Sequence, residues 1–189
     1  AKAEKRYKEH PVNMQLLLDW TNVQYGLLNA CLANKNEELY EKYIDEAQNN
    51  VEEMLEANPK WAKAHALKAA LLSIEMGFTP AKGMFLGATS NSHIKKAIRY
   101  NNSEPLGWVQ RGGSKLHTPK MFGGDVEEAI AAYTKAVNLY EQDTARASEN
   151  WLYINSLAWL GIAYGKDKQY EKAMEVFEKA VAREPQFGW

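Results

Sequence analysis

Four histidines, one cysteine and one Gly-Gly-Ser-Lys run are the residues of this chain best suited to chemistry. His10, His65, His93 and His117 could ligate a metal or carry a proton. No two of them lie three to five residues apart, the spacing that would place two imidazoles on one helix face. Cys31 falls among apolar residues, where a thiol is protonated and inert, and nothing in the sequence marks a base for it. Gly112-Gly113-Ser114-Lys115 lacks the four-residue spacer of a phosphate loop and falls within a helical pattern rather than after a strand. Glu52-Glu53 and Glu127-Glu128 are expected on solvated helix faces. The sequence therefore predicts no enzyme, no cofactor and no metal site, and leaves surface recognition as the activity to look for.

Length and composition agree with that reading. The 189 residues suffice for one domain or a short repeat array, and 46% of them are hydrophobic. Lys and Arg number 23 against 24 Asp and Glu, a net charge of −1, with no basic block to suggest a nucleic-acid partner. No apolar run approaches the roughly 20 residues that span a membrane. No signal peptide is visible, although the chain begins with Ala rather than Met, as it would after loss of a leader. The single cysteine excludes an internal disulfide. The content of six Trp and ten Tyr is high, and some of these must be core.

Apolar residues recurring three and four apart predict helices almost throughout. The phase is clearest in 150–189. Leu157, Leu160, Gly161 and Tyr164 share one helix face. Ala173, Phe177 and Ala180 share another, and Lys166 to Gln169 form the turn between them. Gly161 and Ala173 are small where the two helices must cross, and Tyr164 and Phe177 are large beside that crossing. Pro185 stops the second helix. Working from the start, a charged lead-in, Ala1 to His10, precedes helices at about Val12–Asn34, Glu37–Ala57, Trp61–Met76, Ser90–Tyr100, from Pro105, and from Asp125. Ala47, Val51 and Met54 repeat the second-helix pattern, as do Ile94 and Ala97, and Ala129, Tyr133 and Ala136. Trp108 and Gly112 repeat the first-helix pattern, as does Ala69. His65, Lys68, Arg111 and Lys115 depart from it.

This spacing resembles the tetratricopeptide repeat (TPR), a helix–turn–helix unit of about 34 residues. Leu157 stands where the family prefers Trp; the other signature positions of the last unit carry usual residues. The resemblance implies an all-α fold, a right-handed α-solenoid of about four TPR-like antiparallel helix pairs. The units would be roughly 12–59, 60–104, 105–141 and 150–187, with a connector at 142–149. Two registers fit the first unit, one placing Trp20 at the large aromatic position and one placing Gly26 at the small crossing position. In this family the first helix of each unit lines a concave face. By that carry-over, partner-binding positions would be Trp20 or Gln24, then Lys63, Ala66 and Leu67, then Val109, Gln110 and His117, then Asn155, Trp159 and Ile162. Trp159 is the most informative, because the signature does not require an aromatic there and Trp is enriched at binding hot spots. Contact with a neighbouring loop, or with Phe187 and Trp189, is its bland alternative. The implied partner is a peptide or protein segment; Phe187 and Trp189 at an open end could also mediate self-association.

Units two and three carry long insertions between their helices, and the insertions resemble each other: Thr79-Pro80-Ala81-Lys82-Gly83-Met84-Phe85-Leu86-Gly87 and Thr118-Pro119-Lys120-Met121-Phe122-Gly123-Gly124. Met84, Phe85, Met121 and Phe122 are expected first to tuck over the helix ends and extend the core. Alternatively they form a grip at one edge, for which adaptable Met beside an aromatic is suited. Such insertions look like those of exported bacterial TPR proteins and of TPR components that accompany periplasmic solute transport, which implies export. That likeness also supplies a second functional expectation, a small-molecule or transport-accessory protein whose insertions close the groove into a pocket.

Overall fold

A computed structural model describes residues 13–143 and 151–185. The lead-in with His10, the connector from 144 onward, and Phe187 and Trp189 lie outside the described residues. Helices are α1 (Met14–Asn34), α2 (Glu37–Ala57), α3 (Ala62–Phe78), α4 (Gly83–Tyr100), α5 (Pro105–His117), α6 (Val126–Gln142), α7 (Trp151–Lys166) and α8 (Tyr170–Arg183). There is no strand among the described residues. Short 3₁₀ turns, Pro80–Lys82 and Lys120–Phe122, precede α4 and α6.

Local sequence sets the boundaries. Asn13 caps α1, its side chain accepting from the N–H groups of Gln15 and Leu16. Asn36 and Asp125 cap α2 and α6 in the same way, accepting from Leu39 and Glu128. Lys35 takes a left-handed conformation, φ 53°, that lets the chain turn between α1 and α2. Pro105 opens α5, where its missing N–H costs no helical hydrogen bond.

The chain divides into two compact units, Ala1–Asn101 and Asn102–Trp189. In the first, α1 packs on α2, α3 on α4, and α3 also meets both α1 and α2. Its core includes Leu17, Leu28, Val51, Met54, Leu67 and Leu71, all essentially inaccessible. The buried line of α1 runs through Leu17, Thr21, Gln24, Leu28 and Cys31, with Trp20 beside it. Gly26 is off that line and half-buried. In the second unit, α5 packs on α6, α7 on α8, and α7 also meets both α6 and α5. Here the crossings are as tight as the small residues suggested. A Cβ on Gly161 would lie 2.5 Å from the Phe177 ring, and one on Gly112 would lie 2.8 Å from the Tyr133 ring.

Two sequence expectations are corrected. The first insertion is largely helix: α4 begins at Gly83, seven residues before the expected Ser90. Met84 and Phe85 are then off the phase of the buried Ser90, Ile94 and Ala97, and they are 84% and 78% exposed. Met121 and Phe122 sit in a 3₁₀ turn and are 82% and 72% exposed, so neither pair extends the core. The second insertion closes tightly instead. Gly123 has φ 95°, and a Cβ on Gly124 would lie 1.8 Å from the Thr118 carbonyl oxygen. Glu52 and Glu128 lie on exposed helix faces as expected, and each also takes an ion pair from a facing first helix.

Candidate functional site

The four polar residues that break the first-helix pattern are all accommodated by partners. Lys68 is buried and its Nζ donates to Glu52 Oε1 at 2.6 Å. Arg111 donates to Glu128 at 2.6 Å, and Lys115 lies 3.2 Å from the same carboxylate while donating to the Gly123 carbonyl at 2.9 Å. His65, 4% exposed, meets His93 across the α3/α4 seam with the two Nδ1 atoms 2.9 Å apart. The other ring nitrogen of His65 lies 3.0 Å from the Pro59 carbonyl oxygen. A carbonyl only accepts, so His65 carries its proton on Nε2 and presents a bare Nδ1. His93 must then donate from its own Nδ1. Tyr100 flanks the pair, its ring 5.5 Å from that of His65.

Sequence spacing could not show this pair, because the two histidines are 28 residues apart and on different helices. Their shared signal is that each sits beside a crossing position, Ala69 and Ile94. Burial holds both below the ordinary imidazole pKa, and the charge of Lys96 adds to it. His93 falls to about 4, where His65 and Lys68 also act against its charge and Glu52 acts for it. The described residues contain no group of three or more side chains able to hold a metal. Cys31 is buried and burial pushes its thiol up, which leaves it a poor nucleophile.

The residues expected to line a partner-binding face divide sharply. Trp20, Gln24, Ala66, Leu67, Val109 and Gln110 are buried. Trp20 donates from its indole N–H to Glu46, and Gln24 accepts from Asn50 at 2.9 Å. Lys63 is half-buried on α3. In the second unit the structure brings two of the expected residues together. His117, at the end of α5, meets the Trp159 ring of α7 edge-on, with centroids 5.0 Å apart and planes at 88°. Asn155 is one helical turn before Trp159, and Asn155, Trp159 and Ile162 are all half-buried. Partial burial and the nearby Lys166 charge hold the His117 imidazole below its usual pKa, so at neutral pH the ring is an uncharged donor and acceptor. The arrangement can offer a flat aromatic edge, an imidazole and an amide to a partner. It contains no activated nucleophile and no paired acid and base.

Known proteins are similar to the chain at the level of fold. The profile of the soluble NSF attachment protein (SNAP) family matches residues 119–186. Among curated proteins, none matches this chain in sequence. The crystal structure of TTC0263, a thermophilic TPR protein of Thermus thermophilus, is 16% identical, with 97% of this chain and 80% of that chain covered and a TM-score of 0.60. Crystal structures of MamA (17% identity, 97% and 85% covered, TM-score 0.49) and of YrrB, a TPR protein with an unusual peptide-binding site (17%, 98% and 94%, 0.47), also match. Helix pairs with small residues at their crossings, together with the match to TTC0263 along nearly the whole chain, establish that this chain has the tetratricopeptide-repeat fold.

Proposed function

We propose that the chain is a non-enzymatic interaction module that holds a peptide or protein segment on the face where His117, Asn155 and Trp159 meet. The edge contact between His117 and Trp159 carries this reading. It fixes a large aromatic that remains part-exposed, beside two neutral polar groups, on rigid helices. A preformed site of this kind loses little entropy when it binds, and a fixed Trp is the residue type that most often dominates such contacts. The exposure of Met84, Phe85, Met121 and Phe122 favours this open face over a pocket closed by the insertions.

The test is selection of a random peptide library displayed on phage against the whole chain, followed by affinity measurement on Trp159→Ala and His117→Ala. Selected peptides are expected to bind Trp159→Ala about 30-fold more weakly, the size of a hot-spot loss of ~2 kcal/mol. Peptides that bind both variants as well as the wild type would remove the site from this face.

A further inference from the structure

We propose that the outward face of α4 rests on a membrane surface that carries anionic headgroups, with Met84 and Phe85 inserted at the level of the lipid chains. At 100° per residue, Met84, Phe85, Lys95, Lys96 and Arg99 fall within about 120° of one another, opposite the buried Ser90, Ile94 and Ala97. All five are exposed. The apolar pair and the basic residues are thus parts of one face, about 15–20 Å apart along the helix axis. The exposed side chains between them, Ala88, Thr89, Asn91 and Ser92, are all short, so nothing holds the face away from a flat partner.

Charge fixes the kind of surface. Between Glu75 and Glu104 the sequence has no Asp or Glu, and it has Lys82, Lys95, Lys96 and Arg99. Lys95, Lys96 and Arg99 make no ion pair among the described residues. The carboxylates that come near from α2 and α3 are already engaged, Glu52 with Lys68 and Glu75 with Lys82. The face therefore presents positive charge that no carboxylate of its own helix offsets, and anionic headgroups complement it. The second insertion offers the contrast. Met121 and Phe122 are equally open to solvent, but the helix that follows them, α6, carries Glu127, Glu128 and Glu141 against Lys135.

Depth separates a bilayer from a protein. Met84 and Phe85 project from the first turn of α4, and a protein partner would need a preformed pocket to take both. Lipid yields to such side chains, and a helix lying in the interface buries its apolar residues about 5–10 Å deep. No described helix is long and apolar enough to cross a membrane, and the contact proposed is with the membrane surface.

The experiment is co-sedimentation of the whole chain with vesicles of phosphatidylcholine alone or mixed equally with phosphatidylglycerol. Binding is expected only to the mixed vesicles. Lys95→Gln with Arg99→Gln should weaken it about 30-fold, near fivefold for each charge. Met84→Ser with Phe85→Ser should weaken it about tenfold or more. Met121→Ser with Phe122→Ser should leave it unchanged. An environment-sensitive dye on Met84→Cys, where the other cysteine, Cys31, is buried, should shift its emission to the blue on mixed vesicles. Equal binding to both kinds of vesicle would overturn the proposal. So would undiminished binding of the Met84→Ser, Phe85→Ser variant, or a dye whose emission does not move, since either would reduce the contact to diffuse electrostatics. Binding of a labelled polyglutamate peptide that depends on Phe85 as strongly as vesicle binding does would make an acidic protein the occupant and overturn it as well.

Discussion

Acidification should destabilise the first unit through His93, and the structure sets both the sign and the size. The His93 pKa is about 4 in the folded chain against an ordinary 6.5. Between these values the unfolded chain binds the proton and the folded chain does not, so stability is complete above the unfolded pKa and falls as pH drops toward the folded one. The full shift of 2.5 units corresponds to a ceiling of about 3.4 kcal/mol. The ring is only half-buried, and solvent screening of its interactions with Lys96 and Lys68 reduces this to roughly 1–2 kcal/mol. His65 acts in the same direction, because its folded pKa is also lowered. The assay is urea denaturation followed by circular dichroism at about pH 7.5 and about pH 4.5, for wild type and His93→Asn. Asparagine places an amide N–H close to where Nδ1 stands, so the bond to His65 is retained while the titration is removed. Wild type should lose roughly 1–2 kcal/mol more than the variant on acidification. Parallel stability curves for the two proteins, or a His93 imidazole that titrates near its ordinary value by NMR, would refute the reasoning.

Two further effects are readable from contacts in the second unit. Gly161→Ala drives a methyl to 2.5 Å from the Phe177 ring and should cost about 1–3 kcal/mol in thermal melts. Gly165→Ala, on the same helix with no atom within 4 Å of the new methyl, should instead stabilise by about 0.5–1 kcal/mol. Tyr153 donates to Glu141 at 2.8 Å, and its phenol is pushed up to about 12 by burial and then by that carboxylate. Tyr153→Phe should therefore cost about 1 kcal/mol in urea denaturation, and absorbance titration should show Tyr153 ionising late together with Tyr40, the variant losing one of these late ionisations.

What the sequence made legible was periodicity. Gly161 against Phe177 and Gly112 against Tyr133 are crossings that the small and large residues at repeat spacing already specify. The helix limits Glu37–Ala57 and Pro105 follow from Asn36 and from proline chemistry. What stayed hidden was whatever depends on two elements meeting. Nothing local to Leu67 or Gln110 distinguishes a residue lining an open face from one that a neighbouring helix covers, and both are buried. The Met-Phe pairs were expected inside because apolar residues usually are. Only the early start of α4 at Gly83 reveals that Met84 and Phe85 fall off the buried phase. His117 and Trp159 were each marked by repeat position, but their edge contact joins residues 42 positions apart across α5 and α7.

The polar seams and the insertions occur in the same helix pairs, and one explains the other. Between α7 and α8 the turn is short, with Lys168 in a left-handed conformation at φ 60°, and the connection itself fixes how the helices slide against each other. Between α5 and α6 the connection, residues 118–125, is longer and leaves that sliding less constrained; between α3 and α4 it is residues 79–82, most of them in a 3₁₀ turn. Those two seams carry directional groups where an apolar residue would pack in several registers. His93 must face His65 for its ring N–H to meet an acceptor, and Glu128 must face both Arg111 and Lys115. Hydrogen bonds and ion pairs add little net stability at half-exposed positions such as Arg111 and Glu128, but a misaligned α4 would leave the buried His65 imidazole without its donor. The departures from the repeat pattern at His65, Arg111 and Lys115 thus act as register pins within these pairs, and Lys68 joins α3 to α2 through Glu52. They hold the longer insertions, with their exposed Met-Phe pairs, at a defined place on each helix pair.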